Sequence, residues 1–252
     1  GYPLFLTEYR QDFKNSYLIL DSSFTKGYKK TSNTKLAGSR SHFFSRFDMN
    51  LIDENLKTSN IEINLQVLSN DTYLKVHDIN TELADSSYGV LENTFNYNYQ
   101  HEDLFFSSTV SAYENLTIVD RSKYEYLLPY INFEKNLVTS PKYGFLDLAS
   151  QIKVRNYDVN KQTEFLVNDF NWKSNRWISD FGFENQLLGS LKTVNYNAKN
   201  ASEFKTEDTN TEVSGVVGYL GKLNLNKQIK MTDEQQKLFG IDKLNIKRSE
   251  IP

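Results

Sequence analysis

Three histidines, His42, His77 and His101, are the side chains best suited to move a proton near neutral pH. His101 is followed by Glu102 and Asp103, and His77 stands between Val76 and Asp78, so each has a carboxylate close by in sequence. A hydrolase needs such a base within hydrogen-bond reach of a nucleophile and of an orienting partner. A hairpin turn at His101 and a strand end at His77 account for both residues without chemistry, so no catalytic residue is assigned. Two oxygen-rich stretches, "SNDT" from Ser69 and "DTNTE" from Asp208, offer donors to a hard cation. Neither has the spacing, the central Gly and the closing Glu of a calcium loop. They read as solvated turns, with no metal and no cofactor.

Nearly all of these residues lie on, or between, segments of one pattern. In "LENTFNYNYQ", Leu91, Phe95, Tyr97 and Tyr99 alternate with Glu92, Thr94, Asn96, Asn98 and Gln100. Successive side chains of a strand point to opposite faces, so the stretch is a two-faced β-strand. The same period puts Leu18, Leu20 and Phe24 together, and sets Phe43, Phe47, Met49 and Leu51 opposite His42, Arg46, Asp48 and Asn50. It sets Ile61, Ile63, Leu65 and Val67 against Glu62, Asn64 and Gln66. Leu148, Ile152 and Val154 stand against Gln151, Lys153 and Arg155. Trp177, Phe181, Phe183 and Leu187 stand against Asp180, Glu184 and Gln186, and Val213, Val217 and Tyr219 against Glu212 and Ser214.

Polar, turn-forming stretches separate these segments. The expected fold is all-β: an antiparallel up-and-down meander of roughly twelve strands of ~9–13 residues, with alternating short and long connections and no helix before Met231. A strand of ~10 residues rising ~3.3 Å each and tilted by ~40° covers about 25 Å, the apolar height of an outer membrane barrel. The reading is therefore a transmembrane β-barrel wall over residues 1–230, whose strands are numerous enough to close a small barrel by themselves. Residues 231–252 read as a helical or loop-like tail, in which Thr232 and Gln235 form a capping box and Gly240 a stop.

Bulk composition narrows the partners. With 29 basic and 32 acidic side chains the net charge is −3, and no basic cluster offers a face for nucleic acid. The chain has no cysteine, hence no disulfide framework. No apolar run is long enough for a membrane helix, and a mean hydropathy of −0.58 is compatible with a barrel, whose strands turn half their side chains to a polar lumen. The chain begins "GYPLFLTEYR", already strand-like and without Met or signal peptide, as expected of a fragment or processed piece.

Three stretches add a resemblance. "GYPLFLTEYRQDFKNS" (Gly1 to Ser16) resembles the entry of barrel strands in the LptD family, the lipopolysaccharide-assembly proteins also called organic solvent tolerance proteins. "LSNDTYLKVHDI" (Leu68 to Ile79) is similar to a later segment of that family, and "KYEYLLPYINF" (Lys123 to Phe133) looks like one of its strand entries. The three occur in the family's order and cover about Gly1 to Lys230, the first half of such a barrel, so the resemblance implies a partial, open barrel with free edges near Leu4 to Phe13 and near Val213 to Leu225. The family's periplasmic domain, cysteines, gate prolines and second barrel half have no counterpart here, and Pro3 carries no gate role.

The resemblance implies insertion of lipopolysaccharide into the outer leaflet of a bacterial outer membrane, with no bond made or broken. The lipid slides along an apolar track while its charged sugar passes a polar lumen and leaves by a lateral seam. Implied partners are lipopolysaccharide, outer membrane lipid, a plug lipoprotein of the LptE type and a periplasmic bridge protein of the LptA type. Arg46, Glu62, Lys153, Arg155, Asp180 and Glu184 are the candidate lumen contacts. Tyr97, Tyr99, Tyr113, Tyr126, Tyr130, Tyr157, Trp172, Trp177 and Tyr219 are candidate interfacial aromatics, since Tyr and Trp favour the boundary between lipid and water. The rivals are a general porin or receptor barrel and a soluble β-solenoid or sandwich binding module.

Overall fold

A computed structural model of the chain describes residues 2–28, 37–55, 57–204 and 209–223. The expected tail, residues 231–252, lies outside the described residues. Twelve strands form one antiparallel sheet. They are β1 (Leu4–Asp12), β2 (Ser16–Tyr28), β3 (Ala37–Glu54), β4 (Lys57–Leu68), β5 (Val90–His101) and β6 (Leu104–Asn115). They continue as β7 (Tyr124–Ser140), β8 (Gly144–Tyr157), β9 (Lys161–Lys173), β10 (Trp177–Ile178), β11 (Phe183–Lys199) and β12 (Asn210–Leu223). Each strand pairs with the next, except that the two-residue β10 continues β9 along the same side of β11. The register of β10 on β11 is one residue out of step with that of β9, so residues 174–176 form a bulge within one long hairpin arm.

The sheet is open. β1 has β2 as its neighbour and β12 has β11, and the two edge strands do not pair with each other. Counting β9 and β10 as one pass, the antiparallel steps from β1 to β12 leave both edges running in the same direction.

Connections differ between the two ends. At one end β1–β2, β3–β4, β5–β6 and β7–β8 are separated by only two or three residues each, 13–15, 55–56, 102–103 and 141–143. At the other end residues 29–36, 69–89, 116–123 and 200–209 connect strands, and only 158–160 is short. At the short-connection end Gly144 has φ +88°, and a Cβ there would fall 2.0 Å from the Lys173 carbonyl oxygen, so only glycine fits.

The register carries the period-two pattern across the whole sheet. One hydrogen-bonded row links Met49, Ile61, Tyr97, Ser108, Ile131, Ile152, Leu166, Asn195 and Thr211 on one face. The next row on that face runs Ser59, Tyr99, Phe106, Phe133, Ser150, Asn168, Thr193 and Val213. Neither row holds a charge, and the charges of this face, Lys57, Glu114, Lys135, Glu164 and Lys199 among them, lie in rows nearer its two ends. The polar Ser150–Asn168–Thr193 stretch bonds within itself, Ser150 Oγ donating to Asn168 Oδ1 at 2.7 Å and Asn168 Nδ2 to Thr193 Oγ1 at 3.3 Å. Between these rows, on the other face, lie Asn50, Asn60, Asn98, Ser107, Asn132, Gln151, Val167, Val194 and Glu212.

Few of the sheet's apolar side chains are buried; most are half-buried or exposed. Among the described residues eleven hydrophobic side chains are buried and thirty-nine large ones are exposed, including Phe43, Leu65, Phe95, Leu191 and Val217 of the uncharged face. The main buried cluster sits on the polar face. There the segment 69–89, with its one-turn helix α1 (Tyr73–His77), packs Tyr73, Leu74, Ile79, Leu83 and Ala84 against Ile19 and Phe44. His77, expected at a strand end, is the last residue of this helix. Asp78 follows in the left-handed region (φ 47°), which a short Asp side chain tolerates, and Ile79 N–H closes on the Leu74 carbonyl at 3.0 Å.

Candidate functional site: the polar face and its docked segment

Five of the six charged candidates stand on the polar face. Arg46 pairs with Asn64, Glu62 with Asp48 and Asn96, Lys153 with Tyr130 and Phe165, Arg155 with Leu127 and Thr163, and Glu184 with Ile178 and Lys222. Asp180 does not: it lies in the turn 179–182, where Gly182 N–H bonds the Ser179 carbonyl, so the expected alternation ends before it. Phe181 shares that turn and is 86 % exposed.

Amides and hydroxyls link the charges along this wall. Arg46 Nε donates to Asn64 Oδ1 at 3.3 Å, and Asn64 Nδ2 donates to Glu62 Oε1 at 3.2 Å and to Thr94 Oγ1 at 3.3 Å. Further along, Gln151 Nε2 donates to the Tyr130 hydroxyl at 2.9 Å and to Asn132 Oδ1 at 3.0 Å. Arg155 grips Glu125 with two donors, at 2.7 and 2.9 Å. The wall is a hydrogen-bonding surface in which both signs of charge alternate, suited to sugars, water and hydrated ions.

The aromatic candidates divide between the faces. Tyr97, Tyr99, Tyr126, Trp172, Trp177 and Tyr219 share the uncharged face with the rows described above. Tyr113, Tyr130 and Tyr157 are on the polar face instead. Tyr126 and Tyr130 are four residues apart, so unbroken alternation would place them together. The registers of β7 shift between Leu127 and Tyr130 on one side and opposite Thr109 and Ser111 on the other. Pro129, which has no N–H to give a ladder, occupies that break. Tyr130 thereby meets the Lys153 ammonium 5.9 Å from its ring centre, and Tyr157 donates its hydroxyl to Glu203.

The segment 69–89 is fastened to this wall by a buried polar cluster. Ser23 Oγ bonds His42 Nδ1 at 2.5 Å, and His42 Nε2 meets Asp21 Oδ1 at 3.2 Å. The Tyr73 hydroxyl joins Ser23 at 2.8 Å, and Thr81 donates to the second Asp21 oxygen. Arg10 of β1 adds an ion pair to Glu82 at 2.7 Å. Serine, histidine and aspartate here have the contacts of a nucleophile, base and orienting acid. All three are buried beneath α1, however, and Tyr73 already occupies the serine hydroxyl. The arrangement has no room for a substrate and acts as a clamp. The other histidines stand apart from it in role: His101 bonds Asp103 at 3.2 Å in the tight turn expected of it, and His77 packs its ring on Tyr73 at 4.9 Å.

Two expected results follow from the clamp. His42→Ala strips a partner from both buried Asp21 and buried Ser23, and costs about 1–3 kcal/mol of segment docking, read as faster proteolysis within 69–89. Acid acts in the same direction. Burial, and secondarily the charge of Arg40, hold His77 below its ordinary pKa. A histidine depressed in the folded state takes up a proton on release, so its contribution is present above about pH 6.5 and fades as the pH falls through the lowered value. Proteolysis of the segment is expected to be faster at pH 5 than at pH 7.

The sequence reading missed this cluster because its members come from β2, β3 and the segment, up to 60 residues apart. Period two did place Asp21 and Ser23 on one face and His42 on the polar side of β3, which was the available signal. Against known proteins, no protein-family model matches the chain and no curated protein matches it.

Proposed function

We propose that the chain is a wall segment of a transmembrane β-barrel in a bacterial outer membrane, working in the insertion of lipopolysaccharide into the outer leaflet. The observation that carries this reading is the uncharged face, two adjacent rows of which cross the sheet as far as β12 without a charge, while the row between them on the other face is polar from Asn50 to Gln151. A soluble solenoid or sandwich would bury that face in a dry core, whereas here its large side chains are half-buried or, as at Phe43, Leu65, Phe95, Leu191 and Val217, exposed. Short connections at one end and longer connections at the other match the periplasmic and outer ends of such barrels.

Lipid offers no partner to a bare backbone group, so the open edges must be completed. Because β1 and β12 run the same way, an antiparallel ring needs an odd number of further passes. A second copy set side by side in the same membrane orientation would present strands of the wrong polarity. The resemblance of Gly1 to Ser16, Leu68 to Ile79 and Lys123 to Phe133 to the LptD family supports the choice of cargo. It makes the missing passes those of a ring about twice this size, served by a plug lipoprotein of the LptE type and a bridge protein of the LptA type.

A general channel is the second reading, favoured by the segment 69–89, which packs on the polar side, where a constriction loop would lie. A photo-crosslinker replacing Gln151 in the complete barrel separates the two. Capture of lipopolysaccharide there, and none from a crosslinker at exposed Phe181 of the tight turn, is the expected result. Ion conduction without capture would favour the channel.

A further inference from the structure

At the long-connection end, the uncharged face finishes in a cationic groove. The register sets Tyr126, Asn156, Gln162 and Lys199 in one row of that face across β7, β8, β9 and β11. With Arg121 and Lys161 they line a groove of about 870 Å³. The Tyr124 and Tyr126 rings stack at 6.4 Å and 20° along one side. Lys161 is tied to Asp158 at 3.0 Å, whereas Arg121 and Lys199 form no ion pair with a described residue. Lys123 is turned away, to Glu114 at 2.6 Å and Asp71 at 3.5 Å.

The same face continues downward from this row. Val154, Glu164 and Asn197 come next, then Ile152, Leu166 and Asn195, and a second hollow of about 320 Å³ lies over Ile152, Val154 and Leu166. Glu164, the one acid in the lining of the second hollow, is engaged by Gln162 Nε2 at 2.7 Å. Two uncommitted cations beside stacked tyrosines thus sit directly above an apolar trough. That is the outline of a lipid: an anionic head, then a chain.

We propose that this groove binds the phosphate-bearing headgroup of a lipid in the outer layer of the membrane. Arg121 and Lys199 hold the phosphate, and an acyl chain lies over Val154, Ile152 and Leu166. The inference rests on the reading that the uncharged face meets lipid. A free phosphate ion would use the cations and leave the trough empty, so the adjacent trough favours the lipid source. Lysine and arginine at the headgroup level snorkel toward phosphate, and each adds a modest attraction to anionic lipid.

The test uses the complete barrel containing this chain, in phosphocholine detergent micelles, with retention of dihexanoyl phosphatidic acid read by native mass spectrometry. Dihexanoyl phosphatidylcholine, glycerol phosphate and inorganic phosphate serve as comparison probes. Phosphatidic acid is expected to be retained over all three, and Arg121→Gln with Lys199→Gln should weaken it roughly 10-fold or more. Arg121→Lys with Lys199→Arg should keep it, and both positions are exposed, so folding is not at stake. Equal retention by the glutamine variant overturns the site, and glycerol phosphate or inorganic phosphate bound as tightly as the lipid overturns the lipid assignment. A chain that folds without detergent overturns the membrane reading and this inference together. One that folds only in micelles yet ignores phosphatidic acid overturns this inference alone.

Discussion

Phe95→Arg is expected to cost about 2–4 kcal/mol of stability in a bilayer, the penalty for a cation at mid-depth on the lipid face of a barrel. Phe95 lies between Ile63 and Val110 on the uncharged face and is 41 % exposed, so its replacement meets whatever solvent covers that face. The neighbouring substitution Asn96→Arg points the same side chain to the polar wall, beside Glu62 and Thr109, and is expected to cost little. Urea unfolding of the two variants from phospholipid vesicles measures the difference. Equal costs for both would mean that both faces meet the same medium.

Tyr73→Ala is expected to release the segment 69–89 while sparing the sheet. Tyr73 is wholly buried, packs its ring near His42 and on His77, and bonds Ser23. Truncating a buried aromatic costs about 3–5 kcal/mol, and here the lost hydroxyl also leaves Ser23 one partner short. The cost falls on docking of the segment, because the β2–β3 and β3–β4 ladders do not pass through it. Limited proteolysis should cut the variant within 69–89 and leave a β-sheet circular dichroism spectrum unchanged. Loss of the sheet signal along with the segment would show that the clamp holds the fold itself.

The strands were legible because alternation of Phe, Tyr, Leu and Ile with Asn, Ser and charged residues leaves little choice of period. Openness was not legible in the pattern, which allows a small closed barrel; the resemblance alone implied it, and the edge strands expected near Leu4 to Phe13 and Val213 to Leu225 are β1 and β12. Breaks in register were not legible either. A bulge changes which face a residue takes without changing its type, so Tyr130 was placed with Tyr126, and Asp180 was carried on as strand through the turn 179–182. α1 escaped notice because a single turn is too short to show a helical period. Its docking depends on contacts between Tyr73 and residues on two other strands, and no local pattern announces them.

The central claim is that one face of this sheet meets lipid and the other water. A nitroxide scan along β5 in vesicles tests it directly, placing one label at a time at Phe95, Asn96, Tyr97, Asn98 and Tyr99. Oxygen, which concentrates in lipid, should reach Phe95, Tyr97 and Tyr99, and a water-soluble nickel complex should reach Asn96 and Asn98, with a period of two. Water access at every position, or alternation between water and a site closed to both reagents, would contradict the claim and mark the sheet as part of a soluble protein.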